Sequence, residues 1–174
     1  MPDVYAGGDN VKIVALCLIF CLCTGVGAYK SFAVRMRSCQ LRGILDCFRA
    51  ICSELKYSKT SADGLRDIFL RFSAVPLLEE LARTENLSPK AAYEKAWNKV
   101  AVRMYISLSD KTILDRFFDN FGKESSDIQL QLCDRTVGEL QDAYEGSVSR
   151  SNKYCRLYAI LGFMSGLFFV LVLA

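Results

Sequence analysis

The eight cysteines are the side chains of this 174-residue chain that could most readily bind a metal or carry redox chemistry. Their spacing argues against a metal site, because Cys21 and Cys23 lie two positions apart in an apolar stretch and would face opposite sides of a helix. Cys47, Cys133 and Cys155 are isolated in sequence. We expect the cysteines to act as small apolar residues that stay reduced, with lipidation or a redox pair as the alternatives.

The chain contains no histidine, which excludes several kinds of catalytic and metal-binding site. It has no Ser-His or Cys-His nucleophile pair, no imidazole acid or base near neutral pH, and no histidine metal ligand. Its sequence also lacks a GxxxxGK[ST] phosphate loop, a GxGxxG motif and a nucleophile elbow. Several carboxylates fall on predicted helical faces beside basic residues, which is typical of solvated surfaces: Glu79, Glu80, Asp115, Asp119 and Asp134. We predict no enzyme activity, no cofactor and no metal.

Two long apolar runs lie near the ends of the chain and account for much of its 52% hydrophobic content. Residues 11–29 contain one charge, Lys12, and residues 157–174 contain none. Each run is close to the roughly 20 residues that cross the hydrocarbon core of a membrane as a helix. We therefore predict a transmembrane helix for each run, with a buried helix of a soluble protein as the alternative.

The first run could also be a cleaved signal peptide, since residues 24–28 imitate a small-residue cleavage region. Asp3 and Asp9 precede the run with only Lys12, whereas a signal peptide has a positive N-terminal region. The basic residues that follow the run resist translocation. We therefore predict an uncleaved anchor.

Positive charge is concentrated in the segments that flank the two apolar runs. We call these residues the basic collar: Lys30, Arg35, Arg37, Arg42, Arg150, Lys153 and Arg156. Residues 43–149 carry 14 basic and 17 acidic residues, so the remainder of the middle segment is slightly acidic. The positive-inside rule places residues 30–156 in the cytoplasm and both termini on the opposite side, with residues 1–10 as a short non-cytoplasmic tail. We expect anionic lipids to bind the collar and no nucleic acid to bind the body.

Apolar residues recur at helical spacing between the two runs, and no alternating strand pattern of useful length is present. We predict an all-α fold, a membrane-anchored bundle of about six helices flanked by an N-terminal and a C-terminal transmembrane helix. The predicted core stripes are Leu41, Ile44, Leu45, Phe48, Ile51, Cys52 and Leu55; Leu65, Ile68, Phe69 and Phe72; Leu77, Leu78 and Leu81; Tyr93, Ala96, Trp97, Val100, Ala101 and Met104; Ile113, Leu114, Phe117, Phe118 and Phe121; and Leu132, Cys133, Thr136, Val137, Leu140, Tyr144, Ser147 and Ser151.

Local signals predict where several of these helices begin and end. Asp63 and Asp110 are predicted N-caps, and Ser88 followed by Pro89 is a strong helix start. Gly122 is predicted to end a helix. Pro76 is predicted to open a short one.

The last helix is predicted to begin near Asp127 and meets no strong breaker before the second apolar run. An unbroken helix over this length would be roughly 70 Å long at about 1.5 Å per residue. Gly138 and Gly146 could instead mark close packing or a kink. The sequence leaves these possibilities open.

Small residues in both apolar runs favour close packing of helices. Gly162 and Gly166 form a GxxxG motif in the second run, and Gly25 and Gly27 supply small residues in the first. The second run could pack against the first run of the same chain. It could equally mediate oligomerisation or dock on another membrane subunit.

The order of elements and several local motifs resemble the stage III sporulation protein AB family of endospore-forming bacteria, over almost the whole chain from about residue 11. Residues 53–57, which end in Tyr57, are similar to the family's Glu-hydrophobic-x-Tyr. The turn that follows in the family contains Thr-Pro-Leu, whereas residues 60–62 read Thr-Ser-Ala. A helix that contains Trp97 comes next, as in the family.

Two further motifs in the last third of the chain carry the same resemblance. Residues 126–131, with Asp127 and Gln131, look like the family's Ser-Asp-x-x-x-Gln, although residues 123–124 are Lys-Glu instead of the usual Leu-Gly. Residues 158–167, with Leu161, are close to the family's Tyr-x-x-Leu-Gly-x-x-x-Gly-Leu ending.

The resemblance implies a role rather than a reaction. Family members sit in the mother-cell membrane around the forespore as part of the sporulation channel complex, and their cytoplasmic helical domain is similar to the platform (F-type) subunit of type II secretion and type IV pilus machines. It implies two kinds of partner, a cytoplasmic secretion-type ATPase of the same operon and other membrane subunits of the channel. We expect a non-enzymatic platform or adaptor.

Two other functions stay open on the sequence alone. One is a platform subunit of another secretion or pilus system, although such proteins usually carry two copies of the helical domain and this chain has room for one. The other is a membrane enzyme that uses a cysteine or paired carboxylates, which would require a group with a shifted pKa in a cleft.

Overall fold

The computed structural model describes residues 6–57, 62–84, 87–123 and 126–173. Over these residues the chain forms six α-helices and one short 3-10 turn, with no β-strand, which confirms the all-α prediction. The helices are α1 (Ala6–Tyr57), α2 (Ala62–Arg71), α3 (Pro76–Arg83), α4 (Pro89–Val100), α5 (Leu108–Asn120) and α6 (Ser126–Leu173), and the 3-10 turn is Ala101–Arg103.

The chain divides into two compact units. Residues 36–148 form the unit that we call the body. The residues up to Arg35 and those from Ser149 onward form the unit that we call the hairpin unit. The first and last helices each contribute residues to both units, whereas α2 to α5 belong to the body.

Both long helices are continuous, and for the last one this is the unbroken helix that the sequence left open. The predicted N-terminal span and the first body helix are one element, α1, and the predicted last body helix and C-terminal span are one element, α6. Neither Gly138 nor Gly146 interrupts α6, and a Cβ atom at either would meet nothing within 4 Å. Neither glycine therefore marks a close contact. Within the predicted tail 1–10, residues 1–5 lie outside the described part of the chain and α1 begins at Ala6.

In the body, α1 and α6 run antiparallel. Ser147 donates a hydrogen bond to Ser38 at 3.2 Å, Arg49 donates to Gln141 at 2.7 Å, and Lys56 donates to Asp134 at 3.4 Å. As the residue number rises along α1, the number of its partner falls along α6. These two helices therefore form a pair against which the shorter helices pack.

Aromatic side chains fill the centre of the body. The Phe48 ring of α1 meets the Phe117 and Phe118 rings of α5 edge-on, with centroid separations of 4.6 and 6.3 Å. Phe118 in turn stacks on Tyr93 of α4 at 4.6 Å. Such pairs add about 0.5–1.5 kcal/mol to the stabilisation that burial provides. One aromatic cluster therefore joins α1, α4 and α5.

Most residues of the predicted core stripes are buried in the body, including Leu41, Ile44, Leu45, Phe48, Ile51, Ile68, Leu77, Leu78, Ala96, Leu114, Phe117 and Leu140. The prediction for Ala101 is wrong: it is exposed, because α4 ends at Val100 and the chain turns away in the 3-10 turn. The stripes missed three buried apolar residues, Cys47, Val75 and Ala82. Val75 approaches α1 so closely that a Cβ atom at Gly43 would lie 2.5 Å from its Cγ2.

The predicted helix ends have mixed outcomes. Ser88 caps α4 by accepting a hydrogen bond from the Ala91 amide, which confirms this start, and Pro76 opens α3 as predicted. Gly122 follows α5 with a φ of 84°, a left-handed conformation that favours glycine. The prediction of Asp110 as an N-cap is wrong by three residues, since the cap of α5 is Ser107. Asp63 is likewise not an N-cap, because α2 begins at Ala62 and already contains it.

Candidate functional site

The surface of the hairpin unit is strongly apolar. On α1, exposed large apolar side chains recur every three or four residues along one face, at Val14, Leu18, Leu22, Val26, Tyr29 and Phe32. On α6 they cover much of the helix: Leu157, Ile160, Leu161, Phe163, Met164, Leu167, Phe168, Leu171 and Val172. Water-soluble proteins rarely expose a continuous apolar surface of this kind, which instead marks contact with a membrane or another protein.

The two helices of the hairpin unit meet at glycines. A Cβ atom at Gly27 would lie 2.7 Å from the Tyr158 carbonyl oxygen and 2.9 Å from the Gly162 Cα. A Cβ atom at Gly166 would lie 2.8 Å from the Phe20 ring. The packing of the GxxxG motif is therefore against the first run of the same chain, and any larger residue at Gly27 or Gly162 would force the backbones apart.

Gly25 does not take part in this contact, contrary to the prediction. A Cβ atom there would meet nothing within 4 Å. The reason is helix geometry, because a residue two positions from Gly27 points toward the opposite side of α1.

Polar side chains in the hairpin unit bond within the unit. Ser31 and Cys155 share a hydrogen bond of 2.7 Å between α1 and α6, and Thr24 donates to the carbonyl oxygen of Phe20 at 2.7 Å. From Phe20 to Ser31 on α1, the partner residues on α6 run from Gly166 back to Cys155, so the helices are antiparallel here too.

Among the described residues, one helical stretch, Asp127–Val172 of α6, is long and apolar enough to cross a membrane, judged by length and composition alone. The N-terminal span over residues 11–29 stays a prediction.

Five residues of the basic collar belong to the hairpin unit, and all of them are exposed: Lys30, Arg35, Arg150, Lys153 and Arg156. The Lys153 ammonium lies 5.7 Å from the centroid of the Tyr154 ring, a cation–π distance. The other two belong to the body. Arg42 is exposed and lies 3.9 Å from Asp46, whereas Arg37 makes a buried ion pair.

The Arg37 pair is the most enclosed electrostatic contact described in the body. Its Nε and Nη2 atoms donate to the two carboxylate oxygens of Asp110, each at 3.0 Å, and Nη2 also donates to the Ser107 hydroxyl at 3.3 Å. The Asp110 side chain is 2% exposed and that of Arg37 21%. Asp110 also accepts a hydrogen bond from the Ser107 amide at 2.8 Å, which completes a capping box at the start of α5.

The pKa of Asp110 reflects two opposing influences. Burial raises it, but the hydrogen bonds from Arg37 and Ser107, together with the Arg37 charge, more than offset this and hold the pKa below its ordinary value. Asp110 is therefore charged at neutral pH, and the Arg37 guanidinium beside it offsets the cost of burying that charge.

Gln40 fixes the segment just before α5. Its amide nitrogen donates to the Arg103 carbonyl oxygen at 3.1 Å, and its amide oxygen accepts from the Tyr105 N–H at 2.7 Å. Together with Arg37, it anchors residues 103–110 on α1. Sequence reasoning missed both roles. The available signal was a long polar residue, Gln40, beside the apolar stripe that begins at Leu41.

The carboxylates of α5 are engaged in contacts within the body. Tyr93 donates a hydrogen bond to Asp115 at 2.7 Å, and Lys111 donates to both oxygens of Asp115 at 2.7 and 2.8 Å. Burial, with the nearby Asp115, raises the pKa of Tyr93. Lys111 also lies 5.2 Å from the centre of the Trp97 ring, and these residues line a groove of about 400 Å³ between α4 and α5. No group of three or more potential metal ligands occurs among the described residues.

Four of the residues that carry the motif resemblance lie on the surface. Tyr57, at the end of α1, is 89% exposed, and Asp127 and Gln131 are exposed on the first turns of α6. Leu161 is exposed in the hairpin unit. None of these four residues therefore matches the family's motifs because it is needed in the core. Surface residues of this kind are available to bind a partner or, for Leu161, lipid.

One of the comparisons with known proteins identifies a family. The model of the family described as stage III sporulation protein AB matches residues 12–174. No curated protein and no solved structure gives a significant match to the chain.

Proposed function

Because the chain belongs to the stage III sporulation protein AB family, we propose that it is a membrane-anchored platform of the sporulation channel complex. In this proposal it couples a cytoplasmic secretion-type ATPase of the same operon to the membrane subunits of the channel between mother cell and forespore, and it catalyses no reaction itself. The family match confirms the resemblance inferred from the motifs and makes this a sporulation protein.

The observation that carries the proposal is the contrast between the surfaces of the two units. The hairpin unit exposes apolar side chains such as Leu22 and Leu171, each about two-thirds or more accessible. Its two helices pack against each other at glycines. The body buries most of its large apolar side chains around Phe48, with scattered exceptions such as Val102 and Leu108, and carries ion pairs such as Arg116–Glu139 at 2.6 Å on its surface. A lipid-compatible surface on one unit and a water-compatible surface on the other suit a protein held in a membrane.

The position of the charges supports the orientation. The five collar residues of the hairpin unit are exposed and can reach anionic headgroups, each contributing about 1 kcal/mol near such a surface. With both parts of the basic collar on the cytoplasmic side, the body lies in the mother-cell cytoplasm. Both termini then lie on the other side of the mother-cell membrane around the forespore.

The packed core of the body and its exposed family-like residues support the adaptor role. The Phe48 cluster and the Arg37–Asp110 pair join α1 to α5, so force applied to α5 would pass to α1. Tyr57, Asp127 and Gln131 are the surface residues we assign to partner binding. Charged and polar groups in such a surface favour specificity and rate of association.

Two experiments test the proposal. Reporters fused to the two termini in the sporulating cell should both signal from the non-cytoplasmic side, and a cytoplasmic signal from either terminus would overturn the hairpin topology. Crosslinking followed by purification of the full chain should recover the ATPase and channel subunits of the same operon.

A matched pair of variants sharpens the second experiment. Tyr57→Ala removes an exposed residue of the family-like motif and should reduce recovery of the ATPase. Tyr154→Ala removes an exposed tyrosine of the hairpin unit and should leave recovery unchanged. Equal recovery with both variants would contradict the assignment of Tyr57, and no recovery with the unaltered chain would contradict the platform role.

A further inference from the structure

Three cysteine side chains are buried in the body. Cys47 and Cys52 lie on α1 and Cys133 lies on α6, and they are at most 6% exposed. The Cys133 thiol donates to the carbonyl oxygen of Phe48 at 3.7 Å. Cys52 follows Phe48 by one helical turn of α1, so its amide bonds to the same Phe48 carbonyl oxygen that the Cys133 thiol contacts, and its side chain lies on that face of α1. Two thiols from different helices therefore meet inside the body.

Only one of these two thiols is next to solvent. Cys52 lines an open groove of about 330 Å³ together with Arg49, Lys56 and Asp134, whereas Cys133 is fully buried behind it. A small oxidant that enters the groove would therefore meet Cys52 first. Cys133 is placed to react with whatever forms on Cys52.

We propose that Cys52 and Cys133 form a reversible disulfide site, in which Cys52 is the attacking thiol and Cys133 the resolving thiol. The oxidant is a low-molecular-weight disulfide. The Cys52 thiolate attacks one sulfur of that disulfide, so one S–S bond breaks, a mixed disulfide forms and one thiolate leaves. The Cys133 sulfur, after losing its proton, then attacks Cys52, forms the Cys52–Cys133 bond and releases the second thiolate. Two protein thiols are oxidised and one small disulfide is reduced to two thiols. This inference is independent of the proposed function.

The electrostatics of the pair agree with these roles. A hydrogen bond that the Cys133 thiol can donate to the Cys52 thiolate lowers the pKa of Cys52, more than burial and the Asp134 charge raise it, and the Lys56 ammonium lowers it further. For Cys133 the largest influence that raises its pKa is Cys52 itself, followed by burial. Formation of the mixed disulfide removes the Cys52 charge and thereby activates Cys133. Burial alone raises the pKa of Cys47 to about 12, so that thiol serves as an unreactive neighbour.

The bond would tie α1 to α6 within the body. It would close a loop of roughly 80 residues, and a cross-link of that span restricts the unfolded chain and raises the midpoint of thermal unfolding. The disulfide is therefore expected to make the body more resistant to heat.

The test uses the full chain in detergent micelles, exposed to oxidised glutathione and then digested for mass spectrometry under non-reducing conditions. We expect a peptide pair that joins Cys52 to Cys133 with the loss of two hydrogens, a higher midpoint of thermal unfolding, and reversal of both by dithiothreitol. Absence of the linked pair, or preferential linkage of another cysteine pair, would overturn the proposal.

Two variants separate the roles of the three thiols. Cys133→Ser should trap glutathione on Cys52 as a stable mixed disulfide, and Cys47→Ser should leave the Cys52–Cys133 bond unaffected. Cys133→Ala provides the same test if the serine disturbs the core. If glutathione does not accumulate on Cys52 in either Cys133 variant, Cys133 is not the resolving thiol.

Discussion

Removal of the Arg37 guanidinium should cost the body more stability than removal of any exposed basic partner. Arg37→Met keeps most of the apolar stem but leaves Asp110, 2% exposed, without its ion-pair partner. Loss of one partner from a buried pair costs about 3–5 kcal/mol. The Arg37 side chain is 21% exposed, so water can replace part of the interaction, and we expect about 3 kcal/mol, at the lower end of that range.

The matched control is Arg83→Met. Arg83 pairs with Glu79 at 2.6 Å on the exposed face of α3, where both side chains are accessible. Such exposed pairs are worth about 0.2–1 kcal/mol. Both variants replace an arginine by methionine on a helix, so the difference between them isolates the effect of burial.

The stability of Arg37→Met should depend on pH differently from that of the unaltered chain. In the unaltered chain the pKa of Asp110 is lowered, so its contribution to stability is present above its unfolded value of roughly 3.9 and is lost as pH falls through the folded pKa. In Arg37→Met the guanidinium no longer favours the charged form, so the pKa of Asp110 is higher than in the unaltered chain. As pH falls, Asp110 therefore takes up its proton in the variant before it does so in the unaltered chain, and the penalty of the variant is relieved. The stability gap between the two proteins should therefore narrow on acidification.

The assay is urea unfolding of the full chain in detergent, followed by fluorescence of the single tryptophan, Trp97, which lies on α4 in the body. It is run at neutral pH and at about pH 4, near the unfolded pKa of an aspartate. The reasoning is refuted if Arg37→Met costs no more than Arg83→Met at neutral pH, or if the gap between Arg37→Met and the unaltered chain widens on acidification.

Three further predictions concern the packing of each unit. Gly162→Leu should weaken the contact between α1 and α6 in the hairpin unit, because the new side chain would occupy the space of the Gly27 backbone. Gly25→Leu should be tolerated, because nothing lies within 4 Å of a Cβ atom there. The protease resistance of each full-length variant in detergent measures the difference. Phe48→Ala should lower the free energy of unfolding by about 3–5 kcal/mol, since it removes the ring that meets α5, and urea titration measures this loss. Ser107→Ala should cost about 1 kcal/mol through the lost cap of α5, with a shift of the urea midpoint and no change in slope.

Local chemistry made much of the fold predictable from sequence. Ser88 and Pro89 specify the start of α4 without help from the rest of the chain, and Gly122 marks the end of α5 because it accepts a positive φ. Helical spacing likewise identified the α1 stripe around Phe48, because a continuous helix must turn one face inward.

Contacts between distant parts of the chain were not predictable in this way. Arg37 was assigned to the basic collar because its neighbours in sequence are basic, but its partner Asp110 lies 73 residues away. The same contact explains the error at the start of α5. Asp110 occupies the N3 position of the capping box, and its carboxylate is also the ion-pair partner of Arg37. Which of Gly25 and Gly27 meets α6 depends on the rotation of α1 about its axis, which small-residue composition does not specify.

Flotation of reconstituted vesicles tests our proposal that this chain holds a secretion-type ATPase at the membrane. The full chain is inserted into vesicles that contain anionic lipid, and the purified ATPase of the same operon is added before centrifugation through a density gradient. We expect the ATPase to float with vesicles that carry the chain and to float less with vesicles that carry Tyr57→Ala. The proposal is wrong if the ATPase stays at the bottom of the gradient with the unaltered chain, as it does with empty vesicles.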